Sequence, residues 1–429
     1  MNRQSAVSLE GYSPFDPAVM SCPHASWAML REQAPIYRVD LPDAPRPVFL
    51  ATRRREIDFI ARRTDLFSNT PPSDVWRWGE FEPALQRIFD RTGRKVVFTV
   101  QTTDPPQSQM YRKVISEALG PGRIKAWRPE IEAIVQRLLD AIPSGEPINF
   151  VEAFSVPLPL QAICLILGIP YDEAAYYRHY SDEFTHLVDP AHPLERAQQA
   201  METVVEGYGR LERKLADYRR CPATNLMSAI ANATYDEGRD TTMDEALSMT
   251  HTAIIAGNET TRNALSSAML TLARDPALWR RLKSERDKVG AFVEEVLRRD
   301  APSVTTPRTA VEDVELAGVH VPKGSCIFVM WAAGSLDDET FPDPLTFDLD
   351  RRNKSAHSSF GVGIHHCAGS ALARAELNQA VEGWLRTFET VELTVPAQEV
   401  RYDPVFGFHA LSDLPVRVTR AVHGDHDHG

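Results

Sequence analysis

Phe360-Gly361-Val362-Gly363-Ile364-His365-His366-Cys367-Ala368-Gly369 brings one cysteine to the start of a helix through a glycine-loosened loop. Gly361 and Gly363 can take backbone angles closed to other residues, so the chain there can approach a flat object closely. Beyond the cysteine, Ala371, Leu372, Ala375, Leu377, Val381 and Leu385 recur at helical spacing and predict an amphipathic helix over 368–388. Cys367 would then stand where a helix N-terminus aims its free N–H groups and partial positive charge. Such a place favours thiolate.

A dinucleotide fingerprint would need a third glycine where His366 stands, with a strand and helix around it. A zinc site of His357, His365, His366 and Cys367 lacks paired, short-spaced ligands. A plain buried cysteine, the usual fate of a lone one, explains neither the two glycines nor His365. The pattern Phe-Gly-x-Gly-x-His-x-Cys-x-Gly, carried by Phe360, Gly361, Gly363, His365, Cys367 and Gly369, resembles the haem-binding signature of the cytochrome P450 family. The resemblance implies haem b with its iron held by the Cys367 thiolate.

A second chemical stretch lies in 242–274. Thr242-Met243-Asp244-Glu245 reads as a capping box, and Asp275-Pro276 as a stop, around a helix with little charge in its middle. A helix that long must cross the core. It contains Ala256-Gly257-Asn258-Glu259-Thr260-Thr261. Gly257 costs about 1 kcal/mol against alanine in a helix, so it needs a packing or functional reason, such as close approach of a planar ligand. Thr260 can turn its hydroxyl onto a backbone carbonyl. The segment resembles the family's oxygen-activation motif, which implies that Ala256 and Gly257 lie against the haem, that Thr260 hydrogen-bonds the oxygen or its water, and that Glu259 relays protons.

Other family matches follow chain order. Asp104-Pro105-Pro106-Gln107-Ser108-Gln109-Met110-Tyr111-Arg112 starts a helix with prolines in its first turn. It resembles the stretch whose histidine and arginine bind a haem propionate. Arg112 matches, but serine stands at 108. Arg308 matches the second propionate arginine, and Ser303 to Thr306 would face substrate. Glu295-Val296-Leu297-Arg298 resembles the family's Glu-x-x-Arg, which would lock to Arg351 and hold the loop before the cysteine; by spacing alone it reads as a minor surface ion pair. Candidate pocket residues are Phe98, Thr252, Ile255, Val304 and Phe406. The aromatics Trp76, Trp78, Phe81 and Phe98 either line the pocket or plug the local core.

Composition sets the frame. Hydrophobic residues make up 43% of 429 residues, enough for a large core, and no linker, repeat or low-complexity block divides the chain. We expect one domain over 1–429, with an N-terminal extension over 1–20 and a disordered tail over 420–429, whose histidines could otherwise bind metal. Lys and Arg number 47 against 59 Asp and Glu, a formal charge of −12. That argues against nucleic acid. Five cysteines without paired spacing fit a reducing cytoplasm. Neither a signal peptide nor a bilayer-spanning run is present, as in soluble bacterial members.

Short helices and hairpin strands precede 104, and 130–142, 154–167, 172–188 and 194–219 carry helical periodicity. The resemblance implies a mainly α, triangular-prism fold with small β-sheets. It implies a monomeric haem-thiolate monooxygenase that inserts one oxygen atom from O2 into a small hydrophobic substrate by hydroxylation or O-dealkylation, the substrate being terpenoid, steroid or aromatic. Two electrons would come from a ferredoxin with its NAD(P)H-dependent reductase, docking near Lys113 and Arg374. A peroxide-driven haem enzyme would tend to dispense with the Glu259–Thr260 pair, and a haem or ligand sensor would need no proton relay.

Overall fold

Helix Met243–Arg274 spans 32 residues, about 48 Å, in the computed structural model, which describes residues 9–40, 46–70, 86–95, 97–188 and 193–421. Both halves of its capping box form: the Glu245 N–H donates to Thr242 Oγ1 at 3.2 Å, and the Thr242 N–H donates to Glu245 Oε2 at 2.8 Å. Asp275 ends it and caps the next helix, Pro276–Ser284, by accepting from the Ala277 and Leu278 N–H groups.

Two apolar clusters share this helix. Its first half, through Ala246, Leu247, Met249 and Ile254, packs with Tyr177, Tyr180, Leu211 and Met227. Its second half, from Ala264 and Leu265 to Leu272, packs with Phe150, Phe154, Leu377 and Trp384. Each fully buried side chain of this size contributes about 1.5–3 kcal/mol. The helix's buried apolar residues stop at Ile254 and resume at Ala264, and the oxygen-activation segment lies between.

Other helices cluster around it, among them Gln107–Ala118, Pro121–Asp140, Pro157–Leu167, Ala174–Val188, Leu194–Arg220, Val289–Arg299 and Ser370–Thr387. Pro121–Asp140 begins earlier than its periodicity predicts, because exposed Pro129 is accommodated inside it. The helix after Cys367 starts at Ser370 with Gly369 as N-cap, two residues later than expected.

The strands are short: β1 (Ile36–Val39), β2 (Val48–Ala51), β3 (Phe67–Ser68), β4 (Pro147–Asn149), β5 (Thr306–Ala310), β6 (Val314–Leu316), β7 (Val319–Val321), β8 (Cys326–Val329), β9 (Phe388–Leu393) and β10 (Pro415–Arg420). The largest sheet has the order β1-β2-β8-β5-β3. β1 pairs with β2 as the hairpin pattern predicts, with Ile36 opposite Ala51. The strands on either side of Lys323-Gly324 do not pair with each other. β7 returns on β6, while β8 runs parallel to β2 and antiparallel to β5.

The expected N-terminal extension packs on this sheet side, with Leu9 and Tyr12 against a cluster of Trp27, Val304, Phe328 and Met330. Arg420, placed in the tail by sequence, belongs to β10 and pairs with Phe388. Trp76, Trp78, Phe81 and the tail histidines lie outside the described residues. No helix among the described residues is long and apolar enough to cross a membrane.

Candidate active site

Gly361 and Gly363 take φ of +68° and +75°, where L side chains are strained. At 363 a Cβ would also lie 2.8 Å from the Ala61 carbonyl oxygen, so the loop sits tightly on helix Arg54–Arg62. The Cys367 N–H donates to the Phe360 carbonyl at 2.8 Å and that of His366 to Gly363 at 3.2 Å. These bonds fold the loop so that the sulfur lies beside the Gly369 and Ser370 N–H groups at the helix start.

Burial raises the Cys367 thiol, while those two N–H groups and the charges of Arg112 and Arg374 pull it down. Yet the side chain is accessible.

The middle of the long helix is accessible in the same way. Thr252, Ala253, Ile255, Ala256, Gly257 and Thr260 are only half-buried, whereas Ile254, Asn258, Glu259 and Thr261 are buried. Residues 252, 256 and 260 stand one turn apart and form one face. The Thr260 hydroxyl donates to the Ala256 carbonyl at 2.9 Å without breaking the helix. Gly257 has a packing reason of its own: a Cβ there would meet Ile163 Cδ1 at 3.1 Å and Cγ1 at 3.3 Å.

Glu259 turns away from that face. Its Oε1 accepts from Asn263 Nδ2 at 3.3 Å and pairs with Arg262 at 3.3 Å. Burial raises its carboxyl, Arg262 and Asn263 oppose the rise, and Asp182 and Asp403 add to it.

Three basic groups converge on the edge of the cysteine loop. Arg308 is buried and bonds only Thr306 Oγ1 at 3.2 Å and the Pro307 carbonyl at 2.7 Å, with no carboxylate in ion-pair contact among the described residues. Burial holds its guanidinium down to about 10, against the pull of Asp104. A buried charge without a partner is costly. Arg112 is half-buried and likewise has no ion pair among the described residues. His365 Nδ1 lies 3.2 Å from the Val100 carbonyl, and its buried Nε2 has no partner. Burial, then Arg308, lowers that imidazole to about 4. Two unpaired guanidiniums and an orphaned ring nitrogen beside an accessible cysteine fit a flat group carrying carboxylates. Ser108, where the family carries histidine, is buried with its hydroxyl unpartnered.

The Glu-x-x-Arg pair is no surface bridge. Glu295 and Arg298 are both 0% exposed and meet at 2.7 Å, and Arg351 reaches Glu295 at 3.1 Å. Arg298 also binds the Ser335 and Pro344 carbonyls, and Arg351 those of Pro342, Asp343 and Thr346.

The pocket candidates separate. Thr252 and Ile255 stand on the long helix near Thr260, and Phe98 is 50% exposed just before Val100. Val304 is buried in the N-terminal cluster, and Phe406 meets Phe15 in a tilted pair at 4.7 Å and Phe328 edge-on at 5.1 Å. Sequence reasoning gave Arg262 no role of its own although it directly follows the oxygen-activation stretch, missed Glu294 and Asp403, which stand in no motif, and weighed His357 only as a zinc ligand. Among the described residues no cluster could hold a metal ion.

The family model "Cytochrome P450" matches residues 190–408. The cytochrome P450 monooxygenase PikC of Streptomyces venezuelae is 30% identical, across 93% of this chain and 91% of that protein. A steroid C26-monooxygenase of Mycolicibacterium smegmatis is 30% identical across 82% of this chain and 81% of its own. Among solved structures, the tirandamycin C-bound P450 monooxygenase TamI superposes with a TM-score of 0.82 at 30% identity, covering 94% of this chain and 99% of its own. CYP108D1 of Novosphingobium aromaticivorans reaches 0.84 at 26%, covering 95% and 97%. The chain belongs to the cytochrome P450 family. It is a P450 monooxygenase, a haem-thiolate oxidoreductase acting on a substrate with O2 and electrons from redox partners.

Proposed function

We propose that this monooxygenase hydroxylates or O-dealkylates a small hydrophobic substrate of the terpenoid, steroid or aromatic class, with Cys367 as the iron ligand. The observation that carries the reading is an exposed cysteine at a helix start, on a loop whose edge meets two guanidiniums that have no carboxylate in ion-pair contact among the described residues. The names of the steroid C26-monooxygenases among its relatives support the steroid branch.

Arg112, Arg308 and His365 hold the propionates of haem b, the guanidiniums as charge-assisted donors. Phe360, Gly361 and Gly369 shape the loop around the sulfur, and Ala256 and Gly257 keep the opposite wall thin. When bound, haem supplies the activation of O2 and the transfer of one oxygen atom, the other leaving as water. The protein's part is proton delivery and exclusion of water. Thr260 holds a proton at Oγ1 on the accessible face, its bond to Ala256 fixing the hydroxyl's direction until a better acceptor arrives. Glu259 is buried with its carboxyl raised by burial, so it holds a proton more readily than an exposed glutamate, which suits the relay. Thr252, Ile255 and Phe98 line the substrate side, and Val304 and Phe406 back it.

Two electrons come from a ferredoxin with an NAD(P)H-dependent reductase, to a monomer in the cytoplasm. Two basic groups on the docking side are each engaged: Lys113 with Asp236 at 2.5 Å and Arg374 with Glu294 at 2.6 Å. The Glu259–Thr260 pair favours this O2-dependent reading over a peroxide-driven enzyme and over a sensor.

The test is the carbon monoxide spectrum of the dithionite-reduced protein, wild type against Cys367→Ser. A strongly red-shifted Soret band lost in the variant is expected, followed by substrate screening through spin-state shifts. A band that survives the substitution would remove Cys367 from the role.

A further inference from the structure

Beside Glu295 in the buried lock stands Glu294, which faces the other way. Its Oε1 accepts from Arg374 Nε at 2.6 Å and its Oε2 from Arg374 Nη2 at 3.2 Å. The same Oε2 lies 3.4 Å from His357 Nε2. His357 Nδ1 accepts the Ser359 N–H at 3.2 Å, so its ring proton belongs on Nε2, the nitrogen nearest Glu294, where the contact lacks the geometry of a hydrogen bond. His357 is buried to 1% exposure, whereas Arg374 keeps 32%. With both partners in place the Glu294 carboxyl stays down at about 2, against the effect of burial, and is ionised at neutral pH.

Arg374 does not point away from the site. Its guanidinium carbon sits 4.4 Å from the centre of the Phe360 ring, a cation–π distance. Phe360 is the residue whose carbonyl receives the Cys367 N–H. The Arg374 charge acts on the sulfur itself, favouring thiolate. A chain of contacts thus runs His357–Glu294–Arg374–Phe360–Cys367, joining helix Val289–Arg299 to the cysteine loop.

We propose that Glu294 is a positioning residue. By gripping Arg374 at two points it sets a negative charge against the positive one over Phe360, and the balance of the two sets the electron affinity of the iron that Cys367 holds. The assignment rests on Cys367 being the iron ligand. A positive charge near the sulfur favours the reduced iron, and a nearby carboxylate offsets it. Removing each partner should therefore shift the potential in opposite directions.

The experiment is a mediated reductive titration of the haem-loaded protein without any partner protein, on wild type, Glu294→Gln, Arg374→Gln and the double variant. The ferrous carbon monoxide spectrum is recorded for each. Expected are a midpoint raised in Glu294→Gln, lowered in Arg374→Gln, and returned toward wild type in the double variant. Shifts of the same sign in both single variants, or none, would overturn the proposal, since mere loosening of the loop gives no sign reversal. Should Glu294→Gln fail to load haem, Arg374→Lys against Arg374→Gln decides. Lysine keeping the wild-type potential while glutamine lowers it supports charge placement; equal shifts overturn it. A wild type without the red-shifted band fails on the ligand assignment instead and leaves these signs a separate matter.

Discussion

Thr260 has its hydroxyl bonded to the carbonyl one turn back and its side chain on the accessible face of a core helix. A threonine wanted only for packing would be served by valine, and one wanted only for back-bonding would not need that face. Thr260→Ala removes the proton-holding oxygen and leaves the helix register and the basic cluster alone. We expect unchanged haem content and unchanged substrate-induced spin shift, with electrons from NAD(P)H diverted to hydrogen peroxide. The check is the ratio of product to NAD(P)H consumed, together with a peroxide assay. A ratio equal to wild type would take Thr260 out of proton delivery.

At the scale of elements, helix Met243–Arg274 is tied to its neighbour Pro157–Leu167 through Gly257. Alanine there gains about 1 kcal/mol in helix propensity, but its methyl arrives 3.1 Å from Ile163 Cδ1, and overpacking of this kind costs about 1–3 kcal/mol. The second effect wins, so Gly257→Ala should lower the melting temperature by a few degrees. Ile163→Val removes the nearest methyl and should recover part of the loss. Thermal unfolding of the two single variants and the double variant checks it: a double variant no better than the sum of the singles would mean that the two residues do not meet.

Much of the element scale was legible in the sequence. The capping box at Thr242, the Asp275-Pro276 stop and the hairpin of β1 and β2 use signals a few residues long, which act before any tertiary contact forms. Signals misled where a local rule was overridden: Pro129 on an exposed face is absorbed within a helix, and β8 finds its partners in β2 and β5 rather than in adjacent β7. Within the site, the loop around Cys367 and the Glu295–Arg298–Arg351 lock could be read because motifs carry them. The Glu294–Arg374 grip could not, because its halves lie 80 residues apart and each alone resembles a surface charge.

For the whole molecule, stability against acid follows from what is buried uncharged. His409 is 1% exposed, stacked on Tyr402 at 4.5 Å, and burial lowers its imidazole to about 3. His251, wholly enclosed against Tyr180 and Phe184, is lowered to about 4. In the unfolded chain both titrate near 6.5. As pH falls below 6.5 the unfolded state takes up protons that the native state refuses, so stability is lost. Each histidine costs about 1.4 kcal/mol per pH unit until it titrates in the native protein. Glu259 and Glu376 act in the opposite sense: burial raises their carboxyls, so their share of stability grows as pH falls toward the unfolded value near 4.5. Below that, Glu245 and Glu294, both held at about 2, add their own losses. The acid limb should therefore begin below pH 6.5 with the buried histidines, offset in part by the raised carboxyls, and continue beneath 4.5 through Glu245 and Glu294. His409→Phe keeps a ring on Tyr402 and removes one titration, so acid unfolding followed by circular dichroism should move to lower pH with a gentler slope. An unmoved midpoint would mean that native His409 accepts its proton beside Asp300 at no cost to the fold.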